Sequence, residues 1–131
     1  MSFYREKILD HYKNPRNAGV LQDADCAHHL DNPLCGDAID VFVKLRDNKI
    51  VDIAFQAGGC AISIAAMSML SEKVKGMSRD AVLKLSEDDI IALLGIPLTM
   101  SRIKCGTLGL NALQSAIQKY DKQRTTKNSR S

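Results

Sequence analysis

The hydrophobic period of this chain changes at one point, and that change constrains the fold more than any other feature. Ile39, Val41, Val43 and Leu45, then Val51, Ile53, Phe55 and Ala57, alternate with polar or small residues, the two-residue repeat of half-buried strands. From Ile62 onward the apolar positions are Ala65, Ala66, Met69, Leu70 and Val74, at the three- and four-residue intervals of a helix. The switch falls at Gly58-Gly59-Cys60. Asp47-Asn48 supplies a tight turn between the alternating runs, so they read as a hairpin that feeds directly into a helix.

The remaining elements follow from start and stop signals. Ser2 is placed to cap a helix through Lys13, with Tyr4, Ile8 and Tyr12 on one face, and Asn14-Pro15 ends it. Residues 18–37 lack periodicity and are expected to form loop with one short strand around 20–24. Gly76 stops the central helix. Ser78 caps a short helix with Val82 and Leu85, and Ser86-Glu87-Asp88-Asp89 reads as a capping box before Ile90, Ile91, Leu93 and Leu94. A last helix is expected from about Gly106, with Leu110, Leu113, Ile117 and Tyr120 as its apolar stripe. Strands early and helices late, without βα repetition, predict an α+β fold: a small antiparallel sheet of about three strands with helices packed on one face. At 131 residues the chain has room for one such domain. We expect it to span residues 1–121, with 122–131, polar and aperiodic, as a disordered basic tail.

Charge is unevenly placed. The net charge is +3, but residues 119–131 carry five Lys and Arg against one Asp, which leaves the first 118 residues at −1. With no Trp and only 5% aromatic residues, the body offers neither the basic field nor the stacking platform of a nucleic-acid module. The N-terminus has no basic segment followed by an apolar run, and no stretch approaches a membrane span. A cytoplasmic, reducing location is therefore expected, in which Cys26, Cys35, Cys60 and Cys105 are structural, metal-binding or reactive rather than bridged.

No two cysteines have C-x-x-C spacing. Their contexts are more informative: Cys35 lies in Pro33-Leu34-Cys35-Gly36-Asp37, while Cys60 and Cys105 each stand at an expected helix start. Unpaired N–H groups and the positive end of a helix favour the thiolate, the form that binds metal and attacks sulfur, and Lys104 is expected to tune Cys105 in the same sense. A single thiol is more often a small core hydrophobe; Cys26 with His28 and His29 is read as a loop segment without a metal role, and His11 as structural. Three thiols beside glycines outweigh that reading for Cys35, Cys60 and Cys105.

Asp10-His11-Tyr12 with Asn14-Pro15-Arg16-Asn17, then Cys35-Gly36-Asp37, then Gly59-Cys60-Ala61-Ile62-Ser63, then Cys105 on the last helix together resemble the IscU/SufU/NifU-type iron–sulfur cluster assembly scaffolds, over about residues 3–120. The resemblance implies that Cys35, Asp37, Cys60 and Cys105 line one exposed ligand site. It implies a scaffold that accepts persulfide sulfur from a cysteine desulfurase, with Cys105 as first acceptor. Iron from an iron donor or frataxin-like protein and electrons from an electron donor would complete a labile [2Fe-2S] cluster for transfer to apo iron–sulfur client proteins. Soft thiolates suit iron or zinc, and the harder carboxylate of Asp37 suits release. No nucleic-acid or membrane partner is implied, and a monomer or weak dimer is expected.

Two departures mark this chain. Lys104 stands where IscU members have a His, as in the SufU branch, yet the run Gly95–Arg102 leaves no room for that branch's insertion. Ile96-Pro97-Leu98-Thr99-Met100-Ser101-Arg102 replaces the Leu-Pro-Pro-Val-Lys motif that recruits a specialised Hsp70. The alternative implied is a zinc-containing SufU-type sulfurtransferase with Zn²⁺ at the same four residues. The basic tail is expected to contact an acidic patch on the desulfurase.

Overall fold

The computed structural model describes residues 2–33 and 36–130, with the side chains of 2–4, 101 and 123–130 outside the described set. The elements in order are α1 (Ser2–Lys13), β1 (Cys26–Asn32), β2 (Asp37–Arg46), β3 (Lys49–Gly58), α2 (Ala61–Val74), α3 (Arg79–Leu83), α4 (Glu87–Leu94) and α5 (Met100–Arg130). The three strands form one antiparallel sheet in the order β1-β2-β3. The α+β class and the position of the hairpin agree with the sequence reading, with Asp47 and Asn48 at positive φ in the turn.

One sheet face is the core. Ile39, Val41 and Val43 from β2, with Ile50, Ile53 and Phe55 from β3, are at most 1% exposed. Burying side chains of this size contributes about 1.5–3 kcal/mol each, so a one-residue slip, which would turn all of them to the other face, is heavily disfavoured. α5 lies across β1 and β2, α2 packs on β3 and α5, and α1 covers the outside of α2. The outer sheet face is crossed by the chain itself. Asn17 and Gly19 hydrogen-bond to Phe55 at the free edge of β3, whereas Asp25 bonds to Val43 at the start of β1. The intervening residues pass over Lys44, whose ammonium pairs with Asp23.

Three local expectations change. The short early strand is not at 20–24 but at Cys26–Asn32. Its half-buried face carries Cys26, His28 and Leu30, too polar an edge-strand set to show as alternation. Helix α1 buries Ile8 and His11 and leaves Tyr12 40% exposed, because His11 Nδ1 lies 2.7 Å from Ser68 Oγ on α2. Helix α5 begins at Met100, six residues before Gly106. Thr99 starts it, its hydroxyl accepting from Arg102 N–H at 3.4 Å and its carbonyl from Ile103 N–H at 2.9 Å. The backbone of α5 runs to Arg130. Among the described residues no helix is long and apolar enough to cross a membrane.

Candidate metal centre

The site forms where β2 begins and β3 gives way to α2. Gly58 pairs with Ala38 as the last residue of β3. Gly59 then turns the chain at φ +123°, and Cys60, with φ −79° and ψ 160°, is the N-cap of α2. The sequence signal for a change of period therefore coincides with a thiol at a helix N-terminus, where unpaired N–H groups favour anions.

Asp37, the first residue of β2, is 1% exposed. Its Oδ1 accepts the Cys60 backbone N–H at 2.7 Å, and the Cys60 thiol donates toward Oδ2 at 3.7 Å. A buried carboxylate is tolerated when hydrogen bonds replace its water. Opposite stands Cys105 on α5, 2% exposed. One turn further along α5, Gly109 meets Met67 of α2, with only 2.5 Å between a notional Cβ and its sulfur. This close helix crossing carries Cys105 to the start of α2.

One carboxylate oxygen and two thiol sulfurs, from Asp37, Cys60 and Cys105, lie within 4.8 Å of one another. Donors around one tetrahedral Zn²⁺ at about 2.0–2.3 Å stand roughly 3.5–4 Å apart. The three residues thus fit a thiophilic cation with little movement, and a bound cation would offset the three negative charges that the donors carry once the thiols lose their protons. Cys35 lies outside the described residues, two positions before Asp37 in the chain.

One expectation about an individual residue changes. Cys105 is the sixth residue of α5, not its first. The helix-terminus effect fades within the first turn, so of the site's two described thiols Cys60 alone has that help. Lys104 is exposed. Cys26, His28 and His29, contiguous in sequence, do not converge: strand alternation puts Cys26 and His28 on the half-buried side and His29 outside. His29 sits between Asp40 at 2.9 Å and Asp31 at 2.6 Å, and those two hydrogen bonds, Asp40 first, raise its pKa. Burial pushes the Cys26 thiol up to about 12, with Asp25 and Asp121 adding to the shift. Sequence reasoning missed what seats Asp37, namely Gly59 and the Cys60 N–H; the paired glycines were the available signal.

Residues 3–127 match the family model described as the NifU-like N terminal domain. The chain is 41% identical over 117 residues to the iron–sulfur cluster assembly scaffold protein IscU 1 of Archaeoglobus fulgidus, covering 89% of this chain and 76% of that protein. It is 37% identical over 137 residues to the zinc-dependent sulfurtransferase SufU of Bacillus subtilis, covering 92% of each. A crystal structure of a hypothetical protein superposes with a TM-score of 0.74 at 34% identity, over 89% of this chain and 98% of that one.

Proposed function

The chain belongs to the NifU-like N-terminal domain family, and from that premise we propose that it is an iron–sulfur cluster assembly scaffold that builds a labile [2Fe-2S] cluster and passes it to apo-proteins. The observation that carries the reading is the convergence of Asp37, Cys60 and Cys105, two thiols and a carboxylate, within 4.8 Å. Cys35 is proposed as the fourth ligand. Thiolates hold iron firmly and a carboxylate exchanges readily, so the set suits a cluster that is cargo.

Sulfur arrives, in this reading, from the persulfide of a cysteine desulfurase. The Cys105 thiolate attacks the terminal sulfur, a new S–S bond forms at Cys105, and the desulfurase cysteine leaves as thiolate. Cys105 is 2% exposed, so delivery to it requires a local opening of the site. Iron from an iron donor and electrons from an electron donor complete the cargo. Residues 1–121 form the scaffold domain, and the basic stretch after them docks on an acidic partner surface.

A second reading is favoured by the Bacillus relative and by Lys104: a sulfurtransferase in which resident Zn²⁺ is held by Cys35, Asp37, Cys60 and Cys105. The donor set fits that ion as well. When bound, the ion would keep the thiolates ready while the Cys60 N–H and Gly59 orient Asp37. Anaerobic isolation with assays of iron, sulfide and zinc and a visible spectrum separates the two. The scaffold reading expects iron and sulfide after reconstitution with a desulfurase, and visible absorption that transfers to an apo-ferredoxin. Stoichiometric zinc, no cluster after reconstitution and stimulated desulfurase turnover would overturn it in favour of the second.

A further inference from the structure

We infer that Gly59 is a positioning residue for Asp37: its missing side chain is the seat that lets the carboxylate present a single oxygen to the thiols. The inference rests on the ligand reading above. At the end of β3, Gly58 pairs with Ala38, and the next residue crosses over Asp37. A Cβ on Gly59 would stand 2.0 Å from Asp37 Oδ1, 2.9 Å from Cγ and 2.8 Å from Cα. No carbon sits that near an oxygen without a bond, so any side chain here expels the carboxylate or lifts the loop. The φ of +123° adds to the same restriction.

The chemical consequence follows from the two oxygens. Oδ1 is committed to the Cys60 N–H at 2.7 Å, and Oδ2 faces the Cys60 sulfur at 3.7 Å. A carboxylate held in this way gives a metal one oxygen, the weaker and more exchangeable of its two binding modes. Asp37 is 1% exposed, so it has no solvent-facing position to which it can retreat at little cost. The adjacent Gly58 provides an internal control. A Cβ there meets nothing within 4 Å, and its backbone lies outside the left-handed region.

The test uses the full chain with Zn²⁺ as probe, in competition with a chromophoric chelator. Gly59→Ala is expected to weaken binding by about 10–100-fold, the usual range for a residue that orients a ligand, and Gly58→Ala by less than about two-fold. Asp37→Glu leaves Gly59 untouched and keeps the carboxylate, but its longer arm does not fit the seat; it is expected to weaken binding as much as Asp37→Ala. In the Asp37→Ala background, G59A costs less than in the wild type. With Co²⁺ replacing Zn²⁺, the d–d bands of G59A match those of D37A, which general destabilisation would not produce.

Wild-type affinity in G59A or in D37E overturns the inference, as does an equal loss from G59A with and without the Asp37 side chain. Should G59A fail to fold, D37E decides. If D37A itself binds like the wild type, the ligand reading falls; if D37A weakens binding and G59A does not, only the positioning role falls.

Discussion

Cys60 and Cys26 are both half-buried thiols at the boundary of a strand, yet their surroundings are opposite. Cys60 caps α2, its own N–H anchors Asp37, and the free N–H groups of the first helical turn lie beside it. Cys26, the first residue of β1, faces α5 beside Ala116, Lys119 and Tyr120. Burial, then the carboxylates of Asp25 and Asp121, drive its pKa up to about 12. Exposure and residue type do not distinguish the two. What does is whether the fold brings donors and a second ligand to the sulfur or surrounds it with hydrocarbon and negative charge.

The comparison breaks most easily at the metal. Cys60→Ser is expected to lower Zn²⁺ affinity by at least about 100-fold, since a thiolate ligand is replaced by a weakly acidic hydroxyl. Cys26→Ala is expected to leave it unchanged. Chelator competition on both variants measures the difference, and a substantial loss in Cys26→Ala would show that the β1–α5 seam belongs to the site.

A smaller effect concerns protons. Because the folded state holds the Cys26 proton more tightly than the unfolded chain, whose thiol titrates near 9.0, stability contributed there falls as pH rises from about 9 toward about 12. The same shift protects Cys26 from iodoacetamide at pH 8, where only the thiolate reacts. Mass mapping should find Cys26 unmodified in the native protein and labelled in urea. Rapid native labelling would erase the contrast with Cys60.

Much of this contrast is legible in the sequence, and the missing part has a physical cause. The change of period at Gly58-Gly59-Cys60 placed a thiol at a helix start, because local propensity and tertiary structure agree there. The start of α5 was placed wrongly since Met100-Ser101-Arg102-Ile103-Lys104 carries no apolar stripe, and Thr99 as cap is one polar residue among several. β1 was lost because an edge strand buries only one side, and in Cys-Ala-His-His-Leu-Asp-Asn that side includes a histidine. The resemblance brought Asp37, Cys60 and Cys105 together as ligands. The paired glycines hint at a close approach, but only the 2.0 Å distance shows that Gly59 must lack a side chain for Asp37 to fit.

The crossing of α2 and α5 beneath the site gives a test of intermediate size. A methyl group on Gly109 would stand 2.5 Å from Met67 Sδ and 3.2 Å from its Cβ. Overpacking of this kind costs about 1–3 kcal/mol, and Ala returns up to about 1 kcal/mol of helix propensity. Gly109→Ala is therefore expected to destabilise by roughly 1–2 kcal/mol in urea unfolding and to weaken Zn²⁺ binding, because Cys105 moves with α5 while Cys60 stays with α2. The environment of Cys26, two to three turns further along α5 beside Ala116 and Tyr120, should keep its resistance to alkylation. Stability equal to the wild type would mean that Met67 moves aside freely, and that the crossing does not set the distance between the two thiols.

The smallest effect belongs to Lys104, and it decides whether Cys105 resembles Cys60 or stands apart from it. Lys104 is exposed while Cys105 is buried, and neighbouring residues on a helix point about 100° apart, so the ammonium acts on the sulfur through solvent. Unit charges some 6 Å apart in water interact by about 0.7 kcal/mol, which is roughly a three-fold change in affinity. Lys104→Ala should therefore change Zn²⁺ affinity by no more than about two- to four-fold at low ionic strength, since the ammonium favours the thiolate but repels the incoming dication, and by less in 0.5 M salt, where the Debye length falls to a few ångströms. A loss above ten-fold that salt does not diminish would place the ammonium in direct contact with the donors. Cys105 would then have its own fixed positive partner, as Cys60 has the α2 terminus, and α5 would contribute to the site electrostatically as well as by carrying a ligand.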